Sequence, residues 1–261
     1  MITSSTFGTN GRLGNQMFQF STLYSVAKQL NTSMFLPTES TDDFRQWNLE
    51  KSNCSFLDRK SFGNLYYRSI TQKFSEPYFH YSDLTAKDNT DFHGYFQSEK
   101  YFENYKTELQ ELFLPKTKSA TCVHYERLMA DNRSVSIHLR RGDYVGKSNY
   151  HTDLSSTSYY EDAIQLFAER NFVVFSDDNE YAKLRFKHLP NVTFVEGTTP
   201  VEDIYLQSVC FGNIVANSSF SWWGAWLNQK LNTVVVAPRR WFGTDCKESA
   251  KDVFCKTWVL R

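Results

Sequence analysis

The chain has 261 residues, enough for one large domain or two small ones with a substantial core. Its 29 basic and 29 acidic side chains cancel, which argues against a nucleic-acid-binding protein and against attraction to an anionic membrane surface. A bound anion must therefore be held by local geometry. Aromatic residues make up 16% of the chain, a content that suits a well-filled core and also a sugar-binding surface.

The N-terminal segment and the cysteines predict a cytoplasmic protein. The first residues lack the basic and apolar regions of a signal peptide, and no run approaches the ~20 apolar residues of a membrane-spanning helix. The five cysteines are odd in number and lack CxxC spacing, which predicts reduced thiols without a metal site: Cys54, Cys122, Cys210, Cys246 and Cys255.

The first half of the chain opens with a β-prone run at 2–7, a glycine-containing loop and apolar residues at helical spacing from Met17 to Leu30. The pattern indicates a strand, a loop and a helix. Further along we expect a strand at 34–36, no assignable order at 38–90, a strand, turn and helix across 91–115, a polar linker at 115–122 and a helix before Asp131.

From residue 134 onward β-rich runs alternate with helical runs, which predicts βαβ units around a parallel sheet. In such sheets ligands bind outside the carboxyl ends of the strands, near a switch point. The strands are predicted at 134–139, 172–175, 192–195, 213–215, 233–236 and 257–259, and the helices at 158–170, 180–186, 201–209 and 219–229.

Two adjacent arginines follow the first of these strands, in the stretch HLRRGDYV at 138–145. The forked guanidinium donors of Arg140 and Arg141 suit a phosphate or a carboxylate. Gly142 would give clearance where a ligand approaches the backbone. The competing interpretation is a surface arginine pair bridged to Asp143.

A second strand ends at the stretch NSSFSWWGAWLN, residues 217–228. Ser218 and Ser219 offer capping side chains, and a helix N-terminus can also bind phosphate. Plain capping is the alternative. The tryptophans of the following helix are predicted to pack in the core: Trp222, Trp223 and Trp226.

Acidic residues occur at two helix starts. In TTPVEDIYLQS, Glu202 and Asp203 suit the helix dipole, or one of them accepts hydrogen bonds from a guanine edge. In FSDDNEY, Asp177 and Asp178 either begin a helix or hold a metal ion. Near the N-terminus, TNGRLGNQMFQ matches neither the dinucleotide nor the Walker pattern. Gly11 and Gly14 would let a ligand approach the backbone closely, Arg12 would face an anion, and Asn15 lies near the helix N-terminus.

Together these stretches resemble the inverting α-1,2-fucosyltransferases, a group like glycosyltransferase family 11, and more distantly α-1,6- and protein O-fucosyltransferases. The resemblance implies an α/β fold of GT-B type, with two Rossmann-like domains facing across a cleft. It assigns 1–130 to an acceptor-side domain and 131–261 to a GDP-fucose-binding domain. The matching stretches run in the family's order: GRLGNQMFQFSTLYSVAK, GYFQSEKYF, HLRRGDYV, FSDD and NSSFSWWGAWLN.

The resemblance also implies a donor site that needs no metal. His138 and Arg140 would contact the nucleotide and the β-phosphate, Arg141 would support them, and Asp203 would accept from guanine. The diphosphate would be lined by Ser218, Ser219, Phe220 and Ser221, and the remaining donor-site candidates are Asp177 and the N-terminal Gly11, Arg12, Gly14 and Asn15.

The implied reaction is transfer of fucose from GDP-fucose to a galactose-containing glycan with inversion, in the cytoplasm or on a lipid-linked acceptor at the inner membrane face. The acceptor hydroxyl needs a base. The relatives' glutamate has no counterpart in the stretch GKSNYH, which leaves Asp143, as base or brace, and His151. A carbohydrate-binding protein without catalysis and a fucosyltransferase of another linkage are the alternatives.

Overall fold

The computed structural model describes residues 1–36, 70–130, 133–147 and 149–261. The chain divides into two compact units. Unit 1 comprises Met1–Lys116 and Glu248–Val253, and unit 2 comprises Thr117–Lys247 and Phe254–Arg261. This division differs from the predicted boundary after residue 130 in two places: the helix before Asp131 packs in unit 2, and the segment Glu248–Val253 belongs to unit 1. Most of the unassigned region 38–90 lies outside the described residues.

Unit 1 is built on a four-stranded sheet in which every strand pair is parallel. The strand order is β2-β1-β4-β3, so β1 and β4 are the central neighbours. The strands are β1 Ile2–Thr3, β2 Met34–Phe35, β3 Gln72–Ser75 and β4 Thr90–His93, and the helices are α1 Leu13–Gln29 and α2 Lys106–Leu112.

Two features of this sheet differ from the sequence-based prediction. The first strand ends at Thr3 rather than at residue 7, because the chain turns at once: Phe7 N–H donates to Ser4 O (3.1 Å) and Thr9 N–H to Thr6 O (3.1 Å). β3 was not predicted, since its residues are polar and largely exposed and carry no clear alternation. The predicted strand and helix across 91–115 are confirmed as β4 and α2.

Unit 2 is built on a six-stranded parallel sheet of order β10-β9-β8-β5-β6-β7. Counted from β5, this is the 3-2-1-4-5-6 order of a doubly wound nucleotide-binding fold. The predicted α/β class and parallel sheet are therefore confirmed. The strands are β5 Ser134–Leu139, β6 Asn171–Ser176, β7 Val192–Phe194, β8 Gly212–Ile214, β9 Val234–Ala237 and β10 Val259–Leu260.

The helices of unit 2 are α3 Ala120–Leu128, α4 Tyr159–Gln165, α5 Asn179–Phe186, α6 Pro200–Ser208 and α7 Ser219–Trp226. Two of them, α4 and α7, end several residues earlier than predicted. After α4 the chain turns and Glu169 takes a left-handed conformation (φ +63°). After α7 the side chain of Asn228 donates to Cys210 O (2.8 Å) and Asn213 Oδ1 (3.0 Å), which directs the chain back towards the sheet.

Helix α3 begins inside the predicted linker, because the side chain of Ser119 accepts from Cys122 N–H and caps the helix. Cys122 of α3 packs in one apolar cluster with Val173 and Phe175 of β6 and with Leu206 of α6. These contacts explain why the helix belongs to unit 2.

The three tryptophans of α7 are buried, which confirms their predicted core role. The Trp222 and Trp226 rings stack with centroids 5.8 Å apart, and Trp223 meets Trp226 edge-on at 5.1 Å. Their large apolar area fixes α7 against the sheet. The helix start therefore has a defined position beside β8.

Four of the five cysteines lie in the described residues and none of these four is in a disulfide; Cys54 lies outside. No helix in the part of the chain that the structure covers is long and apolar enough to cross a membrane.

We expect Trp226→Ala to lower the free energy of unfolding by about 3–5 kcal/mol, because it leaves a large cavity beneath α7. Leu184→Ala is the control: Leu184 is 63% exposed on α5, and its loss should change stability by about 0.5 kcal/mol or less. Urea denaturation followed by circular dichroism measures both values. Equal stability of the two variants would contradict the packing role.

Candidate donor-binding site

The carboxyl ends of β5 and β8 mark the point where the strand order of the unit 2 sheet reverses. From β5 the chain proceeds outward through β6 and β7 and then returns to β8, on the other side of β5. The loops that leave β5 and β8 diverge from this point, which is where open α/β sheets bind ligands. They carry HLRRGDYV and NSSFSWW, so the sequence-predicted residues of both motifs lie together.

Arg140 is the first residue after β5, and two carboxylates hold its guanidinium. Its Nη1 is ion-paired with Asp177 and its Nη2 with Asp143. Its side chain is only 15% exposed. These two bonds use two of the five N–H groups of a guanidinium, so others can donate to a ligand oxygen. The arrangement is a positioned cation with spare donors.

Arg141 is held in place by contacts with three neighbouring side chains. Its Nε donates to Asp178 (3.1 Å), its Nη1 to Ser155 Oγ (3.3 Å), and its guanidinium carbon lies 3.5 Å from the Tyr181 ring centroid. The stacking on Tyr181 is a close cation–π contact. Tyr181 was not among the residues predicted from sequence, although its position three residues after the helix-capping Asp178 is a usable signal.

The acidic pair Asp177–Asp178 is engaged by the arginines. Asp177 accepts from Arg141 N–H (2.9 Å) through Oδ1 and pairs with Arg140 through Oδ2. Asp178 caps α5 by accepting from Tyr181 N–H (3.1 Å). Across the residues that the structure describes, no group of three or more histidine, cysteine or acidic side chains could hold a metal ion.

Gly142 is required by the approach of Asp177. A Cβ at this position would lie 2.3 Å from Asp177 Oδ2, closer than any real contact. The space beside Gly142 was predicted to admit a ligand. In the structure the Asp177 carboxylate, which holds Arg140, occupies this space. A side chain at residue 142 would therefore displace the ion pair.

His138, on β5, is buried and neutral at physiological pH. Burial, together with the Arg140 charge, lowers the pKa of His138 to about 4, and the nearby Asp177 opposes the shift only in part. Its ring lies 5.3 Å from the Phe220 ring. Its Nδ1 is buried and has no hydrogen-bond partner among the residues described. A polar atom left in this state is a candidate contact for a ligand.

The start of α7 supplies the second half of the site. Ser218 caps the helix by accepting from Phe220 N–H (3.3 Å), as predicted. Ser219 and Phe220 are partly exposed, whereas Ser221 is fully buried. The Ser221 hydroxyl accepts from Ala216 N–H (3.1 Å) and donates to Ser218 O (3.4 Å), so it shapes the turn from within.

Glu202 and Asp203 at the start of α6 have different environments. The Glu202 carboxylate accepts from Ser119 N–H (2.6 Å) and Thr199 N–H (2.9 Å), which completes a capping box. Asp203 accepts one side-chain bond, from Thr198 Oγ1. Burial, helped by the neighbouring Glu202, raises the pKa of Asp203 to about 7. Asp203 thus keeps acceptor capacity for a ligand.

Both candidate bases, Asp143 and His151, already contact another side chain of the site. Asp143 is ion-paired with Arg140, which is the bracing arrangement. The His151 ring stacks on Tyr144, with centroids 3.8 Å apart and planes 6° from parallel. Burial is the main cause that lowers the pKa of His151. Tyr144 in turn donates to Asn217 O (3.1 Å), so these rings connect the two loops of the site.

The N-terminal candidates lie in unit 1, where a glycine turn begins α1. Gly11 takes φ +94°, and a Cβ there would lie 1.9 Å from the Asn15 side chain. Asn15 accepts from Gln97 Nε2 (2.9 Å), which links this loop to the GYFQSEKYF stretch. Arg12 is exposed at the helix start, and Gly14 is buried within the first turn.

Known proteins resemble this chain along nearly its whole length. The α-1,2-colitosyltransferase of Escherichia coli is 34% identical, over 89% of this chain and 90% of that protein. The O-antigen biosynthesis glycosyltransferase WbnK of Escherichia coli is 30% identical, over 91% and 95%. The fucosyltransferase NodZ from Bradyrhizobium, a solved structure, is 9% identical over 85% and 91%, with a TM-score of 0.43.

The model of glycosyl transferase family 11 matches residues 2–261, which takes in all the motifs that carried the resemblance. The chain belongs to glycosyltransferase family 11.

Proposed function

We propose that this glycosyltransferase moves fucose from GDP-fucose to the 2-hydroxyl of a galactose-containing glycan, with inversion and without a metal ion. One observation carries the donor assignment. Three groups lie at the switch point of the unit 2 sheet. They are Arg140 with its unused N–H donors, the start of α7, and His138, whose buried Nδ1 has no hydrogen-bond partner among the described residues. A diphosphate next to a nucleoside fits these groups.

The chemistry follows from where negative charge develops. When the acceptor oxygen attacks the sugar carbon, the bond to the β-phosphate breaks and its electron pair stays on the phosphate. Arg140 and the backbone N–H groups of α7 stabilise that charge, and such a preorganised donor is commonly worth ~10²–10³ in rate. Asp177 and Asp143 keep Arg140 in place before the donor binds.

The acceptor proposal draws on the relatives. Their names describe an α-1,2 linkage, O-antigen biosynthesis and, in the pig protein that is 26% identical over 85% of this chain and 69% of that protein, a galactoside acceptor. We assign this protein to the synthesis of a bacterial surface glycan, on the cytoplasmic side of the membrane and on a lipid-linked intermediate.

A second donor sugar is favoured by one finding: an α-1,2-colitosyltransferase is 34% identical to this chain. Colitose lacks one ring hydroxyl of fucose. A site that hydrogen-bonds that hydroxyl would reject colitose strongly, whereas an apolar site would discriminate weakly. Initial rates with GDP-fucose and GDP-colitose on one galactoside acceptor, with linkage analysis of each product, decide between the two donors.

The donor class is tested by thermal shift. GDP should stabilise the protein by roughly 2.7 kcal/mol at ~100 times its Kd, and UDP and ADP should not. Stabilisation by free sugars alone would instead identify a carbohydrate-binding protein.

Chelator should leave the transfer rate unchanged, and a strict Mn²⁺ requirement would refute the metal-independent site.

Arg140→Lys should lower kcat by about 10²-fold or more while the protein still folds, because an ammonium group cannot reproduce the fork that Asp177, Asp143 and the phosphate share. The control is Arg127→Ala, which removes an exposed arginine on α3 and should leave kcat unchanged. Steady-state transfer assays measure both. Wild-type kcat in Arg140→Lys would remove Arg140 from the mechanism.

Asp203→Asn should gain stability and lose guanine selectivity. The native pKa of Asp203, about 7, lies above its ordinary 3.8, so the native carboxyl resists ionisation. Native stability therefore falls as pH rises from about 4 to about 7, and the asparagine avoids this loss. Guanine N–H donors need the ionised form, so GDP affinity of the wild type should rise through the same window.

Glu202, next to Asp203, provides a control in which the change in stability should have the opposite sign. Glu202→Gln should lower stability, because its carboxylate accepts two backbone N–H groups at 2.6 Å and 2.9 Å. Calorimetric GDP titrations and thermal melts at about pH 5 and about pH 8 measure all of these effects. Unchanged preference of Asp203→Asn for GDP over ADP would overturn the guanine assignment.

A further inference from the structure

One buried side chain lies where three loops meet at the carboxyl edge of the unit 2 sheet. Asn217 is the third residue after β8 and directly precedes Ser218, which caps α7. It is only 2% exposed. The proposed donor chemistry uses the N–H groups at the start of α7, but it gives Asn217 no role.

The Asn217 amide spends both of its hydrogens on the other two loops. Its Nδ2 donates to Thr152 O (2.9 Å), which follows β5, and to Trp241 O (2.9 Å), which follows β9. Because a carbonyl oxygen can only accept, the amide nitrogen must face these two groups. The backbone adds a third contact, since Asn217 O accepts from the Tyr144 hydroxyl (3.1 Å).

The two segments that the amide bridges also pair with each other. Gly243 N–H donates to Tyr150 O (2.8 Å), and an antiparallel bridge joins the segments 149–152 and 241–245. We call these two segments together the loop ribbon. Asn217 therefore attaches the end of β8 to a paired ribbon rather than to two separate loops.

A fixed Asn217 fixes the start of α7. Ser218 follows it directly, and the Ser218 side chain accepts from Phe220 N–H (3.3 Å). Tyr144 connects the same point to the cation of the site, because the Arg140 guanidinium carbon lies 5.3 Å from the Tyr144 ring centroid. A misplacement of about 1 Å in groups of this kind can cost about 10²-fold in rate.

Another asparagine of unit 2 has the same chemistry away from these loops. Asn213, on β8, is 1% exposed, and its Nδ2 donates to Ser136 Oγ (2.7 Å) and to Gln207 O (2.7 Å). Its partners lie on β5 and α6, within the packed sheet and helix. Asn213 and Asn217 therefore share burial and two donated bonds, but only Asn217 joins the loops of the candidate donor site.

From these contacts we infer that Asn217 is a positioning residue of the donor site. It holds the start of α7 against the loop ribbon, so that the N–H groups of the helix meet the diphosphate of the nucleotide sugar. The inference rests on the proposed function, because it takes the α7 start as the place where the diphosphate binds. Asn217 acts through the backbone of Ser218, since its own amide hydrogens are used on Thr152 and Trp241.

The test is Asn217→Ala, with Asn213→Ala as the matched control. Both variants leave two buried acceptors without their donor, so both should melt at a lower temperature than the wild type. Only Asn217→Ala should bind GDP about tenfold more weakly, the loss expected for one misplaced hydrogen bond to a charged group. Its affinity for guanosine, which has no phosphate, should be unchanged. Calorimetric titrations below the onset of unfolding measure both affinities.

A milder variant decides the question if Asn217→Ala does not fold. Tyr144→Phe removes the hydroxyl that donates to Asn217 O and keeps the ring that stacks on His151. It should weaken GDP by a smaller factor and leave guanosine unchanged.

The contrary outcomes are distinct. Equal weakening of GDP and guanosine, wild-type GDP affinity in the folded variants of Asn217 and Tyr144, or the same loss of GDP affinity in Asn213→Ala would each overturn the positioning role. A wild type that does not bind GDP would instead refute the proposed function, on which the inference rests.

Discussion

The candidate donor site depends on the carboxylate of Asp177, the residue that directly follows β6. Through one oxygen it holds the guanidinium of Arg140, and through the other it accepts from the backbone of Arg141. The chain can come this close only because residue 142 lacks a Cβ. One acid on one strand therefore fixes both the charge and the backbone of the loop that leaves the neighbouring strand. Without it, Arg140 would keep only the ion pair with Asp143, and the backbone of Arg141 would lose its carboxylate acceptor.

Three acids surround the two arginines: Asp143 lies in the loop after β5, and Asp177 and Asp178 follow β6. Arg140 and Arg141 face Asp143, Asp177 and Asp178, which leaves the cluster with about one net negative charge before a donor binds. A diphosphate would be repelled by a loose arrangement of that kind. Ion pairing lowers this repulsion, because each carboxylate is directed at a guanidinium or a backbone N–H, and a bound diphosphate would meet the unused N–H donors of Arg140 and the start of α7.

Local sequence predicted what is locally determined. The strand 134–139 was predicted to the residue, because six consecutive β-prone positions are all buried in the centre of a parallel sheet. The capping by Ser218 and the burial of Trp222 were predicted from neighbouring residues alone. By contrast, β3 is polar, and its place in the sheet follows from pairing with β4. The contact between Ser5 and His93 joins residues 88 apart, which no local pattern reveals.

The switch point of the unit 2 sheet carries groups that the departure of a diphosphate in the proposed reaction requires. At the unit 2 sheet edge the groups are cations and backbone N–H donors, which suit an anion whose charge grows as the leaving group departs. The neutral His138 beside Arg140 limits the positive charge at this edge, and in the proposed reaction a second cation there would hold the product diphosphate more tightly. A catalyst that binds an anion tightly must still release it, and under the proposed function the limited positive charge at this sheet edge would favour release.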